Sequence, residues 1–437
     1  MNFADSILNK NKMISSWNRN YIQRVKIFYP KNIFDIQILL KEIKKKNLYY
    51  IIKTGECSYD SKSIISNIHT LVISLKNFNK INTIKNNSVI VESGALIKDI
   101  LEKVKNKNYT LYSIPGGDKI SLGGAISANV IGKDSNKNFA SFGDTIEELT
   151  VINKNGSLIK LKQKEDLKNF IGAFGNNGII IKAKIILKKT KSPNVLVTTK
   201  VIHNIDGIKD FFNKNDDLQY IQLDPFFRKK IFGIGFSAKS IIDKNIYFKK
   251  INLLSNNIEK IFIRLFSIFI IPSIWKIFYK FFFYLNKNKI QKLDIHNFHY
   301  NSKYKHLIPL LAKENLTEFE IMIHDNFKKN TIDLINIIKK NNLLSYYIVI
   351  KKLYKSKNPY TYKFNNNGYS FAFAFDSKNL NFKVKKKILE FFKKRKLCLN
   401  LSKTDEFFIN LKKNHKKNVL FMSLYKKMLQ EKNEISR

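Results

Sequence analysis

The sequence predicts an α+β fold divided into two domains. Its 437 residues are too many for one simple core, and a hydrophobic content of 44% is enough to build more than one. The N-terminal part joins a helix pattern, a buried strand pattern and a glycine turn, as α/β units do. Beyond a boundary at Ser192–Asn194, short strand patterns are separated by helix patterns, which favours an antiparallel sheet with covering helices.

Hydrophobic periodicity predicts the individual elements. Apolar residues at helical spacing predict helices at 30–46, 96–105, 205–214, 328–340 and 382–394. Runs of β-branched and aromatic residues predict strands at 49–52, 70–74, 88–93, 179–187, 195–202, 220–223, 232–236, 319–323 and 346–350. The turn Asn153–Gly156 joins two further strand patterns, 147–152 and 157–161, into a hairpin.

The net charge of +45 suggests an anionic partner. It comes mainly from lysines spread evenly among asparagine and isoleucine, a pattern that the codons of an AT-rich genome also produce. The sequence has neither a basic-region helix nor an RNA-binding signature, so no nucleic-acid partner is expected. Two explanations of the charge stay open: genome composition and an anionic partner.

Cysteine and histidine usage gives no support for disulfides or metals. Cys57 and Cys398 form neither a disulfide framework nor a CxxC motif, and the seven histidines are scattered, so no metal site is expected. The first residues, Met1–Ser6, lack the basic and then apolar build of a signal peptide. We therefore expect a cytoplasmic protein, with the inner face of the membrane as a more specific location.

One stretch, residues 115–129, holds four of the chain's 16 glycines. Glycine loses more conformational freedom on folding than other residues, so this cluster indicates a need for bare backbone in turns, close packing or phosphate binding. We interpret the stretch as a cradle for the phosphates and ring of a dinucleotide. A small-residue turn precedes it at Lys53–Asp60 and a glycine turn follows at Gly172–Gly178, whereas the GxGxxG fingerprint of nicotinamide enzymes does not open the chain.

In order and spacing, these three motifs resemble those of flavoprotein oxidases that bind FAD through a PCMH-type domain, the vanillyl-alcohol-oxidase superfamily. Within it, the chain most resembles the decaprenylphosphoryl-ribose 2-oxidase family, from about Trp17 to about Leu429. The resemblance implies an FAD-binding PCMH-type domain at 1–192, a substrate domain at 193–396 and a C-terminal segment, 397–437, that returns to the FAD domain. It also implies non-covalent FAD, although some relatives bond the flavin through a histidine at the position of Cys57.

The resemblance assigns FAD binding to positions in all three motifs. They are Lys53, Thr54, Gly55, Glu56, Cys57, Ser58 and Tyr59 in the first, Pro115, Gly116, Gly117, Ser121, Leu122, Gly123, Gly124, Ala125, Ser127, Ala128 and Gly132 in the second, and Ile180 after the third. Thr54 and Glu56 replace glycines of the family, and a carboxylate at 56 is unfavourable beside a pyrophosphate unless it points away. Ile131 replaces a histidine that lies beside flavin and substrate.

On the substrate side, the resemblance points to Lys403, Glu320 and Lys351 as catalytic residues. Lys403 matches a lysine that acts at the flavin and on the substrate, where a cation stabilises negative charge on the reduced ring. Glu320 stands where the family has an amide, so it is either a base or a solvated or ion-paired residue. Lys351 matches a lysine of the substrate pocket, and together with Lys133 and Lys403 it would suit a phosphate-bearing substrate.

The activity that the resemblance implies is oxidation of a secondary alcohol of a sugar, linked in the family to polyprenyl phosphate and used for cell-envelope polysaccharide. A short-chain dehydrogenase that reduces the keto product is the corresponding protein partner. Two alternatives stay open. One is a sugar-lactone or other hydroxyl oxidase of the same superfamily. The other is a non-catalytic member that keeps the fold for binding, which Ala374 in place of a pocket aspartate would suit.

The most apolar stretch of the chain is Ile261–Leu285. Its charge-free part, Leu265–Trp275, is too short to span a bilayer. It is either a helical pair that closes over the substrate domain or an interfacial element with lysines at headgroup level. The second alternative predicts a peripheral membrane contact through residues 261–285.

Overall fold

A computed structural model describes most of the chain between residues 10 and 400. The described residues are 10–18, 22–46, 48–58, 70–214, 216–227, 232–242, 272–299, 316–343, 345–358, 360, 366–376 and 380–400. Tyr59, Lys403 and residues 261–271 of the apolar stretch lie outside them.

The N-terminal region, residues 10–189, is built from two sheets with helices packed on them. Its elements are β1 (Lys10–Ser15), β2 (Ile22–Phe28), α1 (Ile33–Lys45), β3 (Tyr49–Lys53), β4 (Thr70–Ser74), β5 (Ser88–Glu92), α2 (Ile97–Lys105), β6 (Tyr109–Leu111), α3 (Leu122–Ser127), a 3-10 helix (Phe142–Thr145), β7 (Ile146–Asn153), β8 (Leu158–Leu161), α4 (Lys164–Leu167) and β9 (Gly178–Lys189).

The first sheet has the order β1-β2-β4-β3, with β4 parallel to both β2 and β3. The second is antiparallel with the order β5-β9-β7-β8, and β6 also pairs with β9. Strand β9 contributes to two cores, because Ile179 and Ile181 pack with α1 whereas Ile180 packs with α2 and α3. This burial on both faces is what its continuous apolar run predicts.

The C-terminal region, residues 194–400, is organised around one antiparallel sheet of eight strands. Its elements are β10 (Asn194–Ile202), α5 (Asp206–Phe212), β11 (Leu218–Leu223), β12 (Gly233–Ser240), α6 (Pro272–Leu285), β13 (Ile290–Asp294), α7 (Ile295–His299), β14 (Leu316–Ile323), α8 (Phe327–Lys340), β15 (Ser345–Leu353), β16 (Gly368–Asp376), α9 (Phe382–Lys394) and β17 (Cys398–Leu399). The strand order is β13-β10-β12-β11-β15-β16-β14-β17.

The two faces of this sheet differ in chemistry. On the back face, Phe319 of β14 lies opposite Phe373 of β16, in the apolar core that α5, α8 and α9 complete. On the front face, Glu320 lies opposite Ala372, whose neighbour on the other side is Val349 of β15. Alternation along β16 therefore places Phe371, Phe373 and Phe375 under these helices and Ser370, Ala372 and Ala374 on the front face. Another part of the front face is apolar and packs against α6.

The α+β fold and the antiparallel sheet with covering helices are confirmed. Two local details add to this description. Residues 122–127, within the stretch interpreted as a dinucleotide cradle, form the short helix α3. Strand β17 pairs with β14, so the eight-stranded sheet includes Cys398 and Leu399.

Candidate active site

The first two glycine motifs are packed against each other. A Cβ at Gly55 would overlap the carbonyl oxygen of Lys119 and lie 2.8 Å from the backbone nitrogen of Ser121. Only glycine allows so close an approach of two backbones. The hydroxyls of Thr54 and Ser121 share a hydrogen bond across the same contact. The loop after β3 and the start of α3 therefore form one continuous surface.

Helix α3 presents its small residues on one side. Ser121 caps the helix by accepting a hydrogen bond from the N–H of Gly124 at 3.3 Å. Leu122 and Ala125 are fully buried, so these two predicted cofactor residues pack their side chains into the core. The accessible or partly accessible positions of the helix and its end are Gly123, Gly124, Ser127 and Ala128.

Gly123 has a packing role that the sequence did not reveal. Its N–H donates to the carbonyl oxygen of Ser93 at 2.8 Å, and a Cβ there would lie 2.9 Å from that of Ser93. The N–H of Gly123, a residue that the resemblance assigns to FAD binding, is thus bonded to the backbone. Before α3, Pro115 is buried, whereas Gly116 and Gly117 are partly accessible.

The third glycine turn contacts the other end of α3. The N–H groups of Gly172 and Phe174 donate to the carbonyl oxygens of Ile126 and Ser127, at 3.1 and 2.9 Å. Ile180 follows in β9, opposite Val151 of β7. All three motifs therefore meet at α3, as a common cradle requires.

Lysines surround the Glu56 carboxylate of the first loop. The Glu56 Oε1 atom lies 3.2 Å from Lys76 Nζ and 3.5 Å from Lys12 Nζ. Burial alone would raise the pKa of Glu56, but these lysines hold it below its ordinary value. Lys53 is buried and donates to the carbonyl oxygen of Ser15 at 3.2 Å; burial lowers the pKa of Lys53, and Glu56 partly opposes that effect. The carboxylate that looked unfavourable for a pyrophosphate is therefore neutralised.

Glu56 and Cys57 complete this loop. Glu56 has a φ of 54°, in the left-handed region that glycine adopts without steric cost, so the loop keeps a glycine-like conformation. The Cys57 thiol donates to the carbonyl oxygen of Gly55 at 3.2 Å, and burial raises its pKa to about 12. A protonated thiol is a poor nucleophile, which favours non-covalent flavin binding. Ser58 is exposed.

A second group of residues meets on the front face of the eight-stranded sheet. Lys351 Nζ lies 3.2 Å from Glu320 Oε1, and Asn400 donates from Nδ2 to Glu320 Oε2 at 2.9 Å. The side chains of Lys351 and Glu320 are 6% and 1% exposed. Glu320 is therefore ion-paired rather than solvated. Asn400 was missed by the sequence analysis, although it lies three residues before the predicted Lys403.

This cluster contacts the N-terminal region at Ile131. Lys351 donates from Nζ to the carbonyl oxygen of Ile131 at 3.2 Å. The Ile131 side chain packs against the buried cluster of Met322 and Leu353. The position where the resemblance places a histidine thus lies beside the buried ion pair, and it offers an apolar side chain and a carbonyl group instead of an imidazole.

Lys133 has a different role from the one expected. Its Nζ lies 4.2 Å from the centre of the Tyr220 ring and donates to the carbonyl oxygen of His299 at 3.1 Å. Its ammonium is therefore held against the C-terminal region by a cation–π contact and a hydrogen bond. Because Lys351 is ion-paired and Lys403 lies outside the described residues, the expected grouping of three lysines around a phosphate is not seen in the described part of the chain.

Asp144 joins the two regions and was also missed. Its Oδ2 accepts hydrogen bonds from the N–H and hydroxyl of Ser141 at 2.8 and 3.1 Å. Its Oδ1 accepts from the Ser356 hydroxyl at 3.2 Å and from Asn358 Nδ2 at 2.5 Å. The Ser141–Asp144 spacing is a capping-box pattern, so that half of the contact was visible in the sequence. The other half depends on residues more than 200 positions away.

Asp134 positions the start of the glycine stretch. Its Oδ1 accepts a hydrogen bond from the N–H of Ile114 at 2.8 Å, next to Pro115. The N–H of the adjacent Gly132 donates to the Ser113 hydroxyl at 3.4 Å. Burial raises the pKa of Asp134 to about 6, although backbone hydrogen bonds oppose the shift.

This raised pKa predicts a specific pH dependence of stability. Between about pH 4 and pH 6, the folded protein keeps a proton on Asp134, whereas an unfolded chain, with a carboxyl pKa of about 3.9, has lost it. The contribution is complete below about pH 4 and disappears as the pH rises through about 6. From pH 4.5 to pH 7, the wild type should lose roughly 2 kcal/mol of unfolding free energy relative to Asp134→Asn. Urea denaturation at both pH values measures the difference, and parallel behaviour of the two proteins would contradict it.

Residues 26–162 match a family model described as FAD binding domain. The match covers the first two motifs and α3. Residues 26–162 form an FAD-binding domain. With the architecture around it, this domain gives a PCMH-type FAD-binding fold, and the cofactor of the protein is FAD. The expectation of a PCMH-type fold with FAD is confirmed.

Sequence relatives cover parts of the chain. It is 26% identical over 222 residues to UDP-N-acetylenolpyruvoylglucosamine reductase of Clostridium kluyveri, which is 50% of this chain and 67% of that protein. It is 26% identical over 188 residues to berberine bridge enzyme-like 12 of Arabidopsis thaliana, 41% of this chain and 34% of that one. The chain thus spans between about one third and two thirds of the length of the curated relatives it matches.

A solved structure has a similar fold. Cholesterol oxidase from Brevibacterium sterolicum superposes with a TM-score of 0.61, covering 90% of this chain and 84% of that one at 12% identity. At this identity the likeness shows the fold alone.

The residues at the cradle fit FAD. The accessible side of α3 carries nothing larger than serine, so a ring or a diphosphate can approach its backbone. Lys12, Lys53 and Lys76 outnumber Glu56 at the first loop, which complements a negative diphosphate. Within the described ranges, His, Cys, Asp and Glu side chains form no group of three or more that could hold a metal ion.

Proposed function

We propose that this protein is an FAD-dependent oxidoreductase that oxidises a secondary alcohol of a sugar. The observation that supports it is the buried Glu320–Lys351 pair, which lies on the front face of the eight-stranded sheet and contacts Ile131, four residues after α3. A buried ion pair costs free energy unless its geometry is good, so its position beside an FAD domain suits a catalytic role. When bound, FAD supplies the hydride acceptor for such an oxidation.

In this proposal the protein's own residues accept the proton and orient the substrate. Glu320 accepts the hydroxyl proton of the alcohol, since a carboxylate offers only acceptor sites. Lys351 and Asn400 hold the two carboxylate oxygens in place. By the sequence resemblance, Lys403 would supply a positive charge that stabilises the reduced flavin. Ala372 lies opposite Glu320, so the neighbouring strand places only a methyl group beside the carboxylate.

The finer parts of the proposal rest on the sequence resemblance. They are a polyprenyl-phosphate carrier for the sugar, a short-chain dehydrogenase that reduces the keto product, and a cytoplasmic location. Lys133 and Lys351 already contact an aromatic ring and a carboxylate of the protein, so they add no support for a phosphate on the substrate.

Anaerobic flavin reduction tests the proposal. The purified protein should be yellow, should release its flavin into the supernatant on acid precipitation, and should be bleached by a sugar with the appropriate secondary hydroxyl. Glu320→Gln should keep FAD but reduce the rate of bleaching by about 100-fold or more, whereas the exposed Glu390→Gln should not change it. The FAD content of each variant separates a catalytic defect from a folding defect.

Several outcomes would contradict the proposal. A colourless protein that does not take up FAD would show that the proposed reaction lacks its cofactor. A yellow protein that no sugar, lactone or hydroxy acid bleaches would favour a non-catalytic binding role. Bleaching by a lactol or hydroxy acid alone would favour the other hydroxyl oxidases of the superfamily.

A reductase is the second candidate, because the match to UDP-N-acetylenolpyruvoylglucosamine reductase spans half of the chain. In that case chemically reduced protein should regain its colour, without oxygen, when an unsaturated nucleotide sugar is added, and saturated sugars should not bleach it.

A further inference from the structure

Helix α6 is apolar on two faces. Its inner face packs Trp275, Tyr279 and Phe283 against the sheet, and the Tyr279 hydroxyl donates to the carbonyl oxygen of Tyr346 at 2.8 Å. Its outer face exposes five large side chains, by 48% to 76%: Ile277, Phe278, Phe281, Tyr284 and Leu285. The inner contacts anchor the helix, so the outer face is a fixed part of the folded surface.

Among the described residues, exposed large apolar side chains are concentrated here. Ile290, on the edge strand β13, extends the same segment and is 70% exposed. With the five residues of α6 it forms what we call the α6 patch. Of thirteen large hydrophobic side chains exposed in the described part of the chain, six belong to this patch. Such a concentration is typical of an interaction surface.

The charged residues in the segment that carries the α6 patch have one sign. Between residues 272 and 293 the sequence has no acidic residue and five lysines, all exposed: Lys276, Lys280, Lys287, Lys289 and Lys292. The next acidic residue, Asp294, is buried. Exposed aromatic side chains beside lysines are typical of helices that lie in the interface of an anionic bilayer, where the lysine stems reach the headgroups.

We propose that the α6 patch binds the surface of an anionic lipid bilayer, with α6 lying in the plane of the interface. α6 has 14 residues, and no helix among the described residues is long and apolar enough to cross a membrane. The net charge of +45 adds a long-range attraction to such a surface. A second copy of the chain is a poorer occupant, because a two-fold interface would bring the five lysines of one copy against the same five lysines of the other, and like charges repel.

Vesicle co-sedimentation of the full-length FAD-loaded protein tests this. Binding should be strong to vesicles that contain phosphatidylglycerol, weak to pure phosphatidylcholine, and reduced by high salt. The double variant Phe278→Ser/Phe281→Ser should bind anionic vesicles about 10-fold more weakly. Lys276→Gln/Lys280→Gln should also lose about 10-fold, and only toward the anionic vesicles.

A matched control is Phe382→Ser, which removes an equally exposed phenylalanine from α9, outside the patch. It should bind vesicles as the wild type does. Equal binding by the Phe278→Ser/Phe281→Ser and Phe382→Ser proteins would overturn the proposal. So would a wild-type dimer, seen by light scattering without lipid, that the double variant dissociates, or vesicle binding that nuclease treatment of the protein abolishes.

Discussion

Lys351→Met is expected to lower the free energy of unfolding by about 3–5 kcal/mol. The Lys351 ammonium lies 3.2 Å from Glu320 Oε1 and is almost completely buried. Removal of the lysine takes the cation away from a buried carboxylate, which keeps its hydrogen bond from the Asn400 amide at 2.9 Å. It also removes the donor to the Ile131 carbonyl oxygen, which lies at the contact between the two regions.

Urea unfolding followed by tryptophan fluorescence measures this loss. The matched control is Lys386→Met, which breaks an exposed pair at 3.9 Å with Glu390 and should change stability by about 0.5 kcal/mol or less. Adding Glu320→Gln to Lys351→Met removes the orphan charge and keeps an acceptor for Asn400, so it should recover at least half of the loss. Equal destabilisation by the Lys351 and Lys386 substitutions would show that the buried pair is not formed.

Gly55→Ala is expected to weaken FAD binding by about 10- to 100-fold. Its Cβ would overlap the backbone of Lys119 and approach that of Ser121, and neither backbone atom can rotate away as a side chain can. Overpacking of this kind costs about 1–3 kcal/mol. The loop can relieve this overlap by separating from α3. FAD binding needs loop and helix as one surface, so the free energy required to bring them together again weakens binding. Each 1.4 kcal/mol corresponds to about tenfold in affinity.

Titration of the FAD-free protein, followed by flavin fluorescence, measures the affinity. The control is Gly207→Ala in α5, where the new Cβ would make an ordinary contact at 3.4 Å with Ile202. It should leave FAD binding unchanged and stability within about 0.5 kcal/mol. An unchanged affinity in Gly55→Ala would mean that this loop does not border the cofactor.

Much of the fold was predictable because its elements are locally amphipathic. Ile36, Leu39 and Ile43 in α1 recur at helical spacing and are all buried. The three small-residue motifs were also predictable, since they stand out in a chain with few glycines. What local patterns cannot supply is pairing over long distances. Asn400 and Asp144 carry their structural role through partners that are 80 or more than 200 positions away.

Glu320 shows why the candidate site was only half predicted. Every residue of β14 is buried, on both faces of the sheet, so a carboxylate there needs a partner. In a chain with 79 basic residues the sequence does not say which lysine that is. The register β14-β16-β15 brings Lys351 within reach, and register is a property of the whole sheet.

The separation of these contacts also bears on how the chain folds. Lys351 follows Ile131 by 220 positions, and Asn358 follows Asp144 by 214. During synthesis, the three motifs and the helix on which they converge therefore leave the ribosome long before the segments that will cover them. Contacts of such long range form slowly, since much of the chain must be ordered to close them. This order of events favours folding of the FAD-binding domain before the C-terminal sheet is complete.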